Sequence, residues 1–583
     1  MPVHNADIEA IFTEIADLQE ILGENPFRIR AYRNAARVIG GLGQEIRELI
    51  EVGADLTQFD GIGSDLAQKI ETIVMTGTVD TLENLRREFP PGITDLLRVQ
   101  GLGPKRLKQL LVELKIQNRD DLKQACEQGL VQKIRGFGAK LEAAILVSLT
   151  AQAAQGRRFL RAAVIPYVEN LVGHLQKVAG VHSVTAAGSY RRGRDTVGDV
   201  DILCSAASSS PVMARFIAYD EMKDVLAHGE TKSSVRLRSG LQVDLRVVPR
   251  ESWGAALLYF TGSQAFNIAL RKRAQDRGLK LNEYGLFPAD ADDEKKSQLP
   301  IIGKTEDAIF QSLEVPAIPP ELREDRGEIA AALAGKLPRL VALRDIRGDL
   351  HGHTDQSDGT LTVEEVARAA KARGYEYIAI TDHSKRLTVA NGLDAERVLR
   401  QIDEIDKVNH LVKGVRVLKG IEVDILEDGQ LDLPNTVLSR LDLVIGSVHH
   451  KFNLPEDLQT ARVMKAMDNP YFTIFAHPTG RLLPDRFPYA INIPQIIEHA
   501  KKRGVVLELN ANPFRLDLDD KYCRMAKEAG VLISIDSDSH TLADYDNIKH
   551  GLMQARRAWL EPKDVLNARP LAELLEIFKR RRT

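Results

Sequence analysis

Asp199 and Asp201 stand two apart in GSYRRGRDTVGDVDIL, residues 188–203. The run reads as a loop leading into a strand, and residues two apart on a strand face the same way. Two carboxylates on one face repel unless a cation lies between them. Mg²⁺ held jointly by carboxylates and substrate phosphates is the natural partner. A third carboxylate, Asp244, sits mid-strand in LQVDLRVV among apolar neighbours, where it is costly unless paired or metal-bound. Gly188 and Ser189 offer a small backbone turn, and Arg191 and Arg192 offer cations suited to a triphosphate. Together these residues fit nucleotidyl transfer better than a polar loop before an exposed strand.

A second set lies far downstream. Ten of the 14 histidines fall beyond residue 340. His351 and His353 form a His-Gly-His, and Asp358 follows in SDG. Then come His383 in TDHS, Glu422 in GIEVD, His449 in SVHH, His477 in AHPTG, and Asp538 with His540 in DSDSH. Most of these follow a short apolar run. A lone histidine at a strand end is usually structural, but nine metal-type residues at successive strand ends are not. Nitrogen and oxygen ligands without cysteine suit Mn²⁺, Zn²⁺ or Fe²⁺ rather than a thiolate zinc site. Nine are too many for one ion and suit a cluster of two or three. His450 and Asp382 receive no role.

A third signal is a repeat. Gly61-Ile62-Gly63 precedes SDLAQKI, Gly101-Leu102-Gly103 precedes PKRLKQLL, and Gly136-Phe137-Gly138 precedes AKLEAAIL. Glycines at a helix N-terminus let backbone N–H groups approach a phosphate, which holds nucleic acid without reading its sequence. One copy is usually just a turn. Three copies beside a basic region carry more weight, and residues 101–280 hold 28 Lys/Arg against 16 Asp/Glu, an excess of 28 − 16 = 12.

The elements that must position these groups change character along the chain. At 583 residues it exceeds one core and suggests three to four units at about 150 residues each. Residues 1–155 read as helical, with Ile8, Ile11, Ile15 and Leu18 at helical spacing. Residues 156–250 carry short β-branched runs (HSVTAAG, DVDILC, SSVRLRSG, LQVDLRVV), as in a mixed α/β unit with an antiparallel component. Residues 251–315 are mainly helical, with a strand signal near NEYGLF. A charged, proline-containing joint follows. After residue 341, strands alternate with helices, as in a β/α barrel whose active site lies at strand C-terminal ends. No apolar run is long enough to span a bilayer, the N-terminus lacks the pattern of a signal peptide, and three scattered cysteines fit a reducing cytoplasm.

With GSYRRG, GDVDIL, LQVDLRVVP and LLYFTGS followed by QAFNIALR, residues 1–315 resemble the DNA polymerase X family, of which DNA polymerase beta is the familiar member. The resemblance implies that Asp199, Asp201 and Asp244 hold two metal ions, Mg²⁺ or Mn²⁺. It also implies that Gly188, Ser189 and Arg192 bind the incoming triphosphate. Tyr259, Phe260, Thr261 and Gly262 would line the sugar pocket, with Asn267 and Arg271 near the nascent base pair. Gly61, Gly63, Gly101, Gly103, Gly136 and Gly138 would contact DNA through helix-hairpin-helix motifs. Gln264 and Gln242 stand where that familiar member has an Asp and an Arg. AYRNAARVIG and GIGSDLAQKIETIVMTGTVDTLENLRRE resemble the family's deoxyribose-phosphate lyase domain, with Lys69 at the Schiff-base position. Asp65 replaces a neighbouring family lysine, and Lys69 as a mere phosphate contact is an equal alternative.

Residues 341–583 resemble the PHP (polymerase and histidinol phosphatase) domain, whose nine metal positions can all be matched. That likeness implies a distorted seven-stranded β/α barrel hydrolysing phosphoesters. The expected fold is therefore multidomain: a helical N-terminal region with helix-hairpin-helix motifs, an α+β nucleotidyltransferase palm with its thumb, and a C-terminal barrel. The expected boundaries are a lyase-like domain at 1–90, a second helical DNA-binding subdomain at 91–155, palm at 156–255, thumb at 256–315, linker at 316–340 and phosphoesterase at 341–583. The expected activity is gap filling in base excision repair on gapped or primed duplex DNA with dNTPs, with Mn²⁺-dependent 3′–5′ trimming. Such a protein would be cytoplasmic, off the membrane and monomeric. The alternatives are a C-terminal domain that is a small-molecule phosphatase or a structural module, and a DNA-binding scaffold with decayed sites.

Overall fold

Strand Asp199–Ala206 runs parallel to strand Gln242–Val248, with Asp201 opposite Asp244 and Asp199 opposite Gln242. This register places the three aspartates on one face, because side chains alternate along each strand. In this computed structural model, residues 3–582 are described apart from 4, 41–45, 60, 91–92, 100–101, 156–157, 290–299 and 484–485. The chain divides into two compact units, residues 1–158 with 484–487, and the remainder.

The first unit is helical among its described residues. Helix Asn5–Leu22 buries Ile8, Ile15 and Leu18, with Ile11 packed at the edge of the same core. Phe12 meets Tyr32 of helix Pro26–Gly40 edge-on, with ring centroids 5.4 Å apart, a favoured aromatic geometry. Helices Ser64–Thr76, Pro104–Glu113 and Ala139–Gln155 follow the three glycine pairs.

In the second unit, a five-stranded sheet runs in the order Val181–Ala186, Asp199–Ala206, Gln242–Val248, Lys232–Leu237, Met222–His228. Only the central aspartate-bearing pair is parallel. The sequence signals miss the edge strand Met222–His228, most of which is exposed and so carries no alternating apolar pattern. Helices Trp253–Thr261 and Gln264–Gln275 and the hairpin Leu279–Asn282/Gly285–Pro288 follow. Phe266, Leu270, Leu281 and Phe310 form their core, which Trp559 from near the C-terminus completes.

Residues 316–340, expected as a joint, are packed chain. Ile318, Leu322, Arg323 and Glu328 are all buried. The charges there find partners instead of water: Arg323 donates to Glu306 at 2.6 Å and to the Ile318 carbonyl at 2.9 Å. Unpaired, they could not be buried at this depth.

The C-terminal part holds a three-stranded and a five-stranded sheet, both parallel with strands in sequence order. The isolated pairs Gly352–Ser539 and His383–Glu422 join the two sheets at both ends, closing a barrel. Arg416–Lys419 and Glu422–Asp424 flank Gly420. A Cβ at Gly420 would lie 2.8 Å from the Ile380 carbonyl, so the chain passes close to its neighbour there. Counting these two segments as halves of one bent strand reduces eight strands to the expected seven. The strands are buried on both faces, as parallel sheets require.

Candidate catalytic centres

The first centre is built on the parallel pair. Asp201 and Asp244 are half-buried and Asp199 is exposed. Burial raises the Asp201 carboxyl to about 6, with Asp199 and Asp244 adding to the effect. Such crowding suits a cation and is costly without one. Gln242 donates from Nε2 to Asp244 Oδ1 at 3.1 Å, so a neutral amide steadies that carboxylate. Gly188 opens the short helix Gly188–Arg191, at φ +59°, and a Cβ there would fall 2.3 Å from Asp201 Oδ2. Only glycine lets the Gly188–Ser189 turn lie against the carboxylates. A proton on Asp201 competes with a metal, so apparent Mg²⁺ affinity in nucleotide addition should fall as pH drops from about 8 to about 6. Half-saturating Mg²⁺ measured across that range checks it, and a flat profile contradicts it.

The two arginines diverge. Arg191 is tied to Glu306 through two bonds, at 2.8 and 2.7 Å, and to Thr261 Oγ1 at 2.6 Å. It pins the loop. Arg192 reaches Gly262: its Nη1 donates to the Thr261 carbonyl at 2.5 Å, and a Cβ on Gly262 would come 3.2 Å from the same Nη1. Asn267 Nδ2 donates to the Tyr259 carbonyl at 2.7 Å, and Arg271 lies one turn further along the same helix. Tyr259 and Phe260 meet edge-on at 5.1 Å, and the Arg246 guanidinium lies 4.4 Å from the Phe260 ring centre. Asp199, Asp201, Asp244, Gly188, Ser189, Arg192, Thr261 and Gly262 thus gather on one side of the sheet. Asn267 and Arg271 stand on the adjoining helix.

In the first unit, Gly63 and Gly103 are helix N-caps whose helices receive no side-chain cap bond. Gly61 and Gly136 adopt left-handed backbone, at φ +87° and +90°. A Cβ at Gly63, Gly103, Gly136 or Gly138 would meet nothing within 4 Å, so the first-turn N–H groups lie open to an anion. Gly101 lies outside the described residues. Lys69 has only 16% of its side chain exposed and its ammonium is bonded to Asp65. A Schiff base would need this amine, which the contact with Asp65 engages.

The second centre lies at the C-terminal ends of the barrel strands. Glu422 is its hub. His383 Nδ1 lies 2.7 Å, His351 Nε2 3.5 Å and His353 Nε2 3.7 Å from Glu422 Oε2. His477 Nε2 lies 3.0 Å and His449 Nε2 3.4 Å from Oε1. Asp538 Oδ1 is 3.1 Å from His353 Nε2 and 3.6 Å from His351 Nε2. Asp358 is 3.4 Å from His540 and 3.7 Å from His383. Potential ligand atoms cluster in three groups: His353, Asp358, His383 and His540; His351, His353 and Asp538; His383, Glu422 and His449. His477 completes the nine through Glu422.

These residues fit divalent cations. His351 Nε2, His353 Nδ1 and His477 Nδ1 are buried without a hydrogen-bond partner, and His383 Nδ1 meets Glu422 Oε2 at 2.7 Å without the alignment of a hydrogen bond, which is costly unless something else satisfies them. His477 and Asp538 take left-handed backbone, φ +28° and +52°, strain of a kind found at functional sites. Burial works against charge on Glu422 and Asp538, yet the surrounding histidines hold both carboxyls well below their usual range. His353 is pushed down to about 4 by burial and by His540 and His383.

A supporting layer escaped the sequence reading. Glu508 Oε1 lies 2.6 Å from His351 Nδ1, and its Oε2 accepts from the His477 backbone at 2.6 Å. Asn510 donates to Asp538 at 3.0 Å. Asp424 lies 3.2 Å from His449 Nδ1. Arg515 Nε stands 3.5 Å from Asp538 Oδ2, a cation at the edge of the cluster. The signal was present in VLELNANPFR, where polar residues alternate along an otherwise apolar strand. Asp382 accepts from Thr354, Ser357 and Gln401, and so shapes the loop carrying Asp358. His450 Nε2 is 3.9 Å from Asp424, on a partly exposed side chain, and reaches none of the nine.

Known families match each part. A helix-hairpin-helix domain matches residues 3–79, and a SAM-like helix-hairpin-helix tandem matches 93–151. The DNA polymerase beta palm matches 161–244, the DNA polymerase beta thumb 256–324 and the PHP domain 349–512. Over 580 residues, 99% of this chain and all of the relative, the sequence is 39% identical to the DNA polymerase/3′-5′ exonuclease PolX of Bacillus subtilis. The C-terminal part alone is also similar to smaller proteins. It is 33% identical over 230 residues to a probable phosphatase of Thermoanaerobacter, covering 38% of this chain and 89% of that one. It is 36% identical over 201 residues to a probable phosphatase of Acetivibrio thermocellus, covering 33% and 78%. Since only the first of these relatives spans both centres from end to end, the chain belongs to the PolX family of DNA polymerases.

Proposed function

We propose that the chain fills short gaps in DNA during base excision repair and trims 3′ ends with its PHP domain. The register of the parallel strand pair carries the first half, because it faces three carboxylates into one space. Two divalent cations held there, Mg²⁺ or Mn²⁺, would supply activation of the primer 3′ hydroxyl and charge neutralisation on the leaving pyrophosphate. Asp199, Asp201 and Asp244 fix where those charges sit. Gly188, Ser189 and Arg192 receive the triphosphate, while Tyr259, Phe260, Thr261 and Gly262 form the sugar pocket. Asn267 and Arg271 approach the nascent pair.

At the second centre, Mn²⁺, Zn²⁺ or Fe²⁺ as a cluster of two or three would supply hydroxide at neutral pH. The nine residues hold it, Glu508 and Asp424 orient histidines, and Arg515 meets the phosphate. A labelled gapped duplex, incubated with and without dNTPs in Mg²⁺ and in Mn²⁺, tests both halves. Extension needs dNTPs, and shortening from the 3′ end needs only the metal. The resemblance to probable phosphatases keeps a second reading open for the tail. Release of phosphate from small monoesters, with intact oligonucleotide, would favour it.

Helix N-termini at the glycine pairs grip the backbone of gapped or primed duplex without reading bases. DNA affinity is therefore expected to fall by roughly 10³-fold or more between about 50 and 200 mM salt, and to vary little with sequence at fixed salt. A strong preference for one duplex sequence in a binding titration would contradict this. Lys69 serves as a phosphate contact or, once freed of Asp65, as the lyase amine. No described helix is long and apolar enough to cross a membrane. A monomer working on chromosomal DNA in the cytoplasm fits these parts.

A further inference from the structure

The loop Arg191–Asp195 belongs to the polymerase centre, but the PHP domain grips it at three points. Arg557 Nη1 donates to the Arg192 carbonyl at 2.9 Å. Arg481 lies 3.4 Å from Asp195. Gly193, at φ +72°, sits so close to helix Ile548–Arg557 that a Cβ would overlap Met553, 2.3 Å from its Cγ. A glycine at this turn lets a helix of the nuclease pack directly on the nucleotide loop.

The side chains continue the connection. Glu324 Oε1 accepts from Arg192 Nε at 3.1 Å and from Arg557 Nη1 at 2.8 Å. Arg557 also donates from Nη2 to Asp520 at 2.8 Å. The Arg557 side chain is 2% exposed, Glu324 12% and Arg192 13%, so this is a shielded network in which charge counts. Glu324 occupies one donor of Arg192 and the Thr261 carbonyl another. An anion bonded to Arg192 competes with any triphosphate for the same charge. Arg557 shares that anion and so lightens its hold.

Taking Arg192 as the triphosphate contact, as read above, we propose that Arg557 of the PHP domain is a positioning residue of the polymerase site. It anchors the main chain of Arg192 and draws Glu324 away, keeping the Arg192 guanidinium available to the incoming nucleotide.

The full-length protein tests this in steady-state gap filling, with inorganic tripolyphosphate as a competitive probe. Arg557→Met leaves Glu324 to Arg192, with only Arg194 further off at 4.0 Å. It should raise KM for dNTP by roughly tenfold, since charge-assisted bonds are at stake, with a much smaller change in kcat. Adding Glu324→Gln removes the competing charge and should bring KM back most of the way. A purely structural role predicts no such recovery. An unchanged KM in Arg557→Met, or no recovery in the double variant, overturns the proposal. If a melting curve shows Arg557→Met to be unfolded, Glu324→Gln alone decides. Its inhibition constant for tripolyphosphate should fall, and an unchanged or higher constant overturns the proposal. Arg192→Ala runs alongside and should by itself raise KM. If it does not, the triphosphate reading fails and takes the proposal with it. If it does while Arg557→Met has no effect, only the positioning role fails.

Discussion

Asp244→Ala is expected to abolish gap filling while 3′ trimming and DNA binding persist. The carboxylate lies opposite Asp201 on the central parallel pair, and Gln242 already holds one of its oxygens. On the proposed reading, its removal takes a carboxylate from a centre whose chemistry is almost wholly electrostatic. Losing several kcal/mol of transition-state stabilisation is a rate loss of roughly 10³-fold or more. Stability should change little, because Asp244 is half-buried and loses a crowded negative charge rather than an apolar contact. Single-turnover extension of a gapped duplex measures the effect. Extension within tenfold of the parent would remove Asp244 from the catalytic set. Asp199→Ala combined with Asp201→Ala should behave alike.

These aspartates were legible because a strand has a period of two, and because a carboxylate among β-branched neighbours demands an explanation. The sequence could not disclose the register. That Asp201 faces Asp244, rather than lying one residue away, depends on pairing between segments some forty residues apart. The nine residues of the barrel were legible for another reason: most follow a short apolar run, and parallel barrels place chemistry at strand ends. Their supports were less visible. Glu508 lies within strand Val506–Asn510 and Asn510 closes it, and only the closed barrel turns them toward His351 and Asp538.

Charge misled the reading of residues 316–340. Glu321, Arg323 and Glu324 belong to a run whose proline and charge read as an interdomain joint. Their partners lie elsewhere in sequence: Glu321 with Arg556, Arg323 with Glu306, and Glu324 with Arg192 and Arg557. A buried ion pair is weak evidence for stability, since desolvation offsets much of the attraction. Breaking one side is costly, however, so these pairs fix how the segment lies. Composition cannot distinguish a charge facing water from one facing a partner two hundred residues away.

His353→Ala should show the reverse of Asp244→Ala: 3′ trimming lost and gap filling kept. His353 contributes to two of the three groups of potential ligands, so one substitution disturbs more of the cluster than most. Its Nε2 stands 3.1 Å from Asp538 and its Nδ1 3.9 Å from Asp358. The ring also stacks against both His383 and His540, at 4.3 Å between centres. Removing it deprives the cluster of the ring nitrogen beside Asp538. Metal occupancy and hydrolysis should fall together, with trimming reduced by roughly 10³-fold if one ion is lost. The ring is fully buried, so a cavity and some loss of stability accompany the change. A melting curve and metal analysis separate that effect from chemistry. Gap filling should stay within about twofold, because the three aspartates lie on a different sheet. Normal trimming by a folded His353→Ala protein would take the nuclease away from the barrel. Loss of both activities with an unchanged melting temperature would instead mean that the cluster and the polymerase centre are coupled within their shared unit.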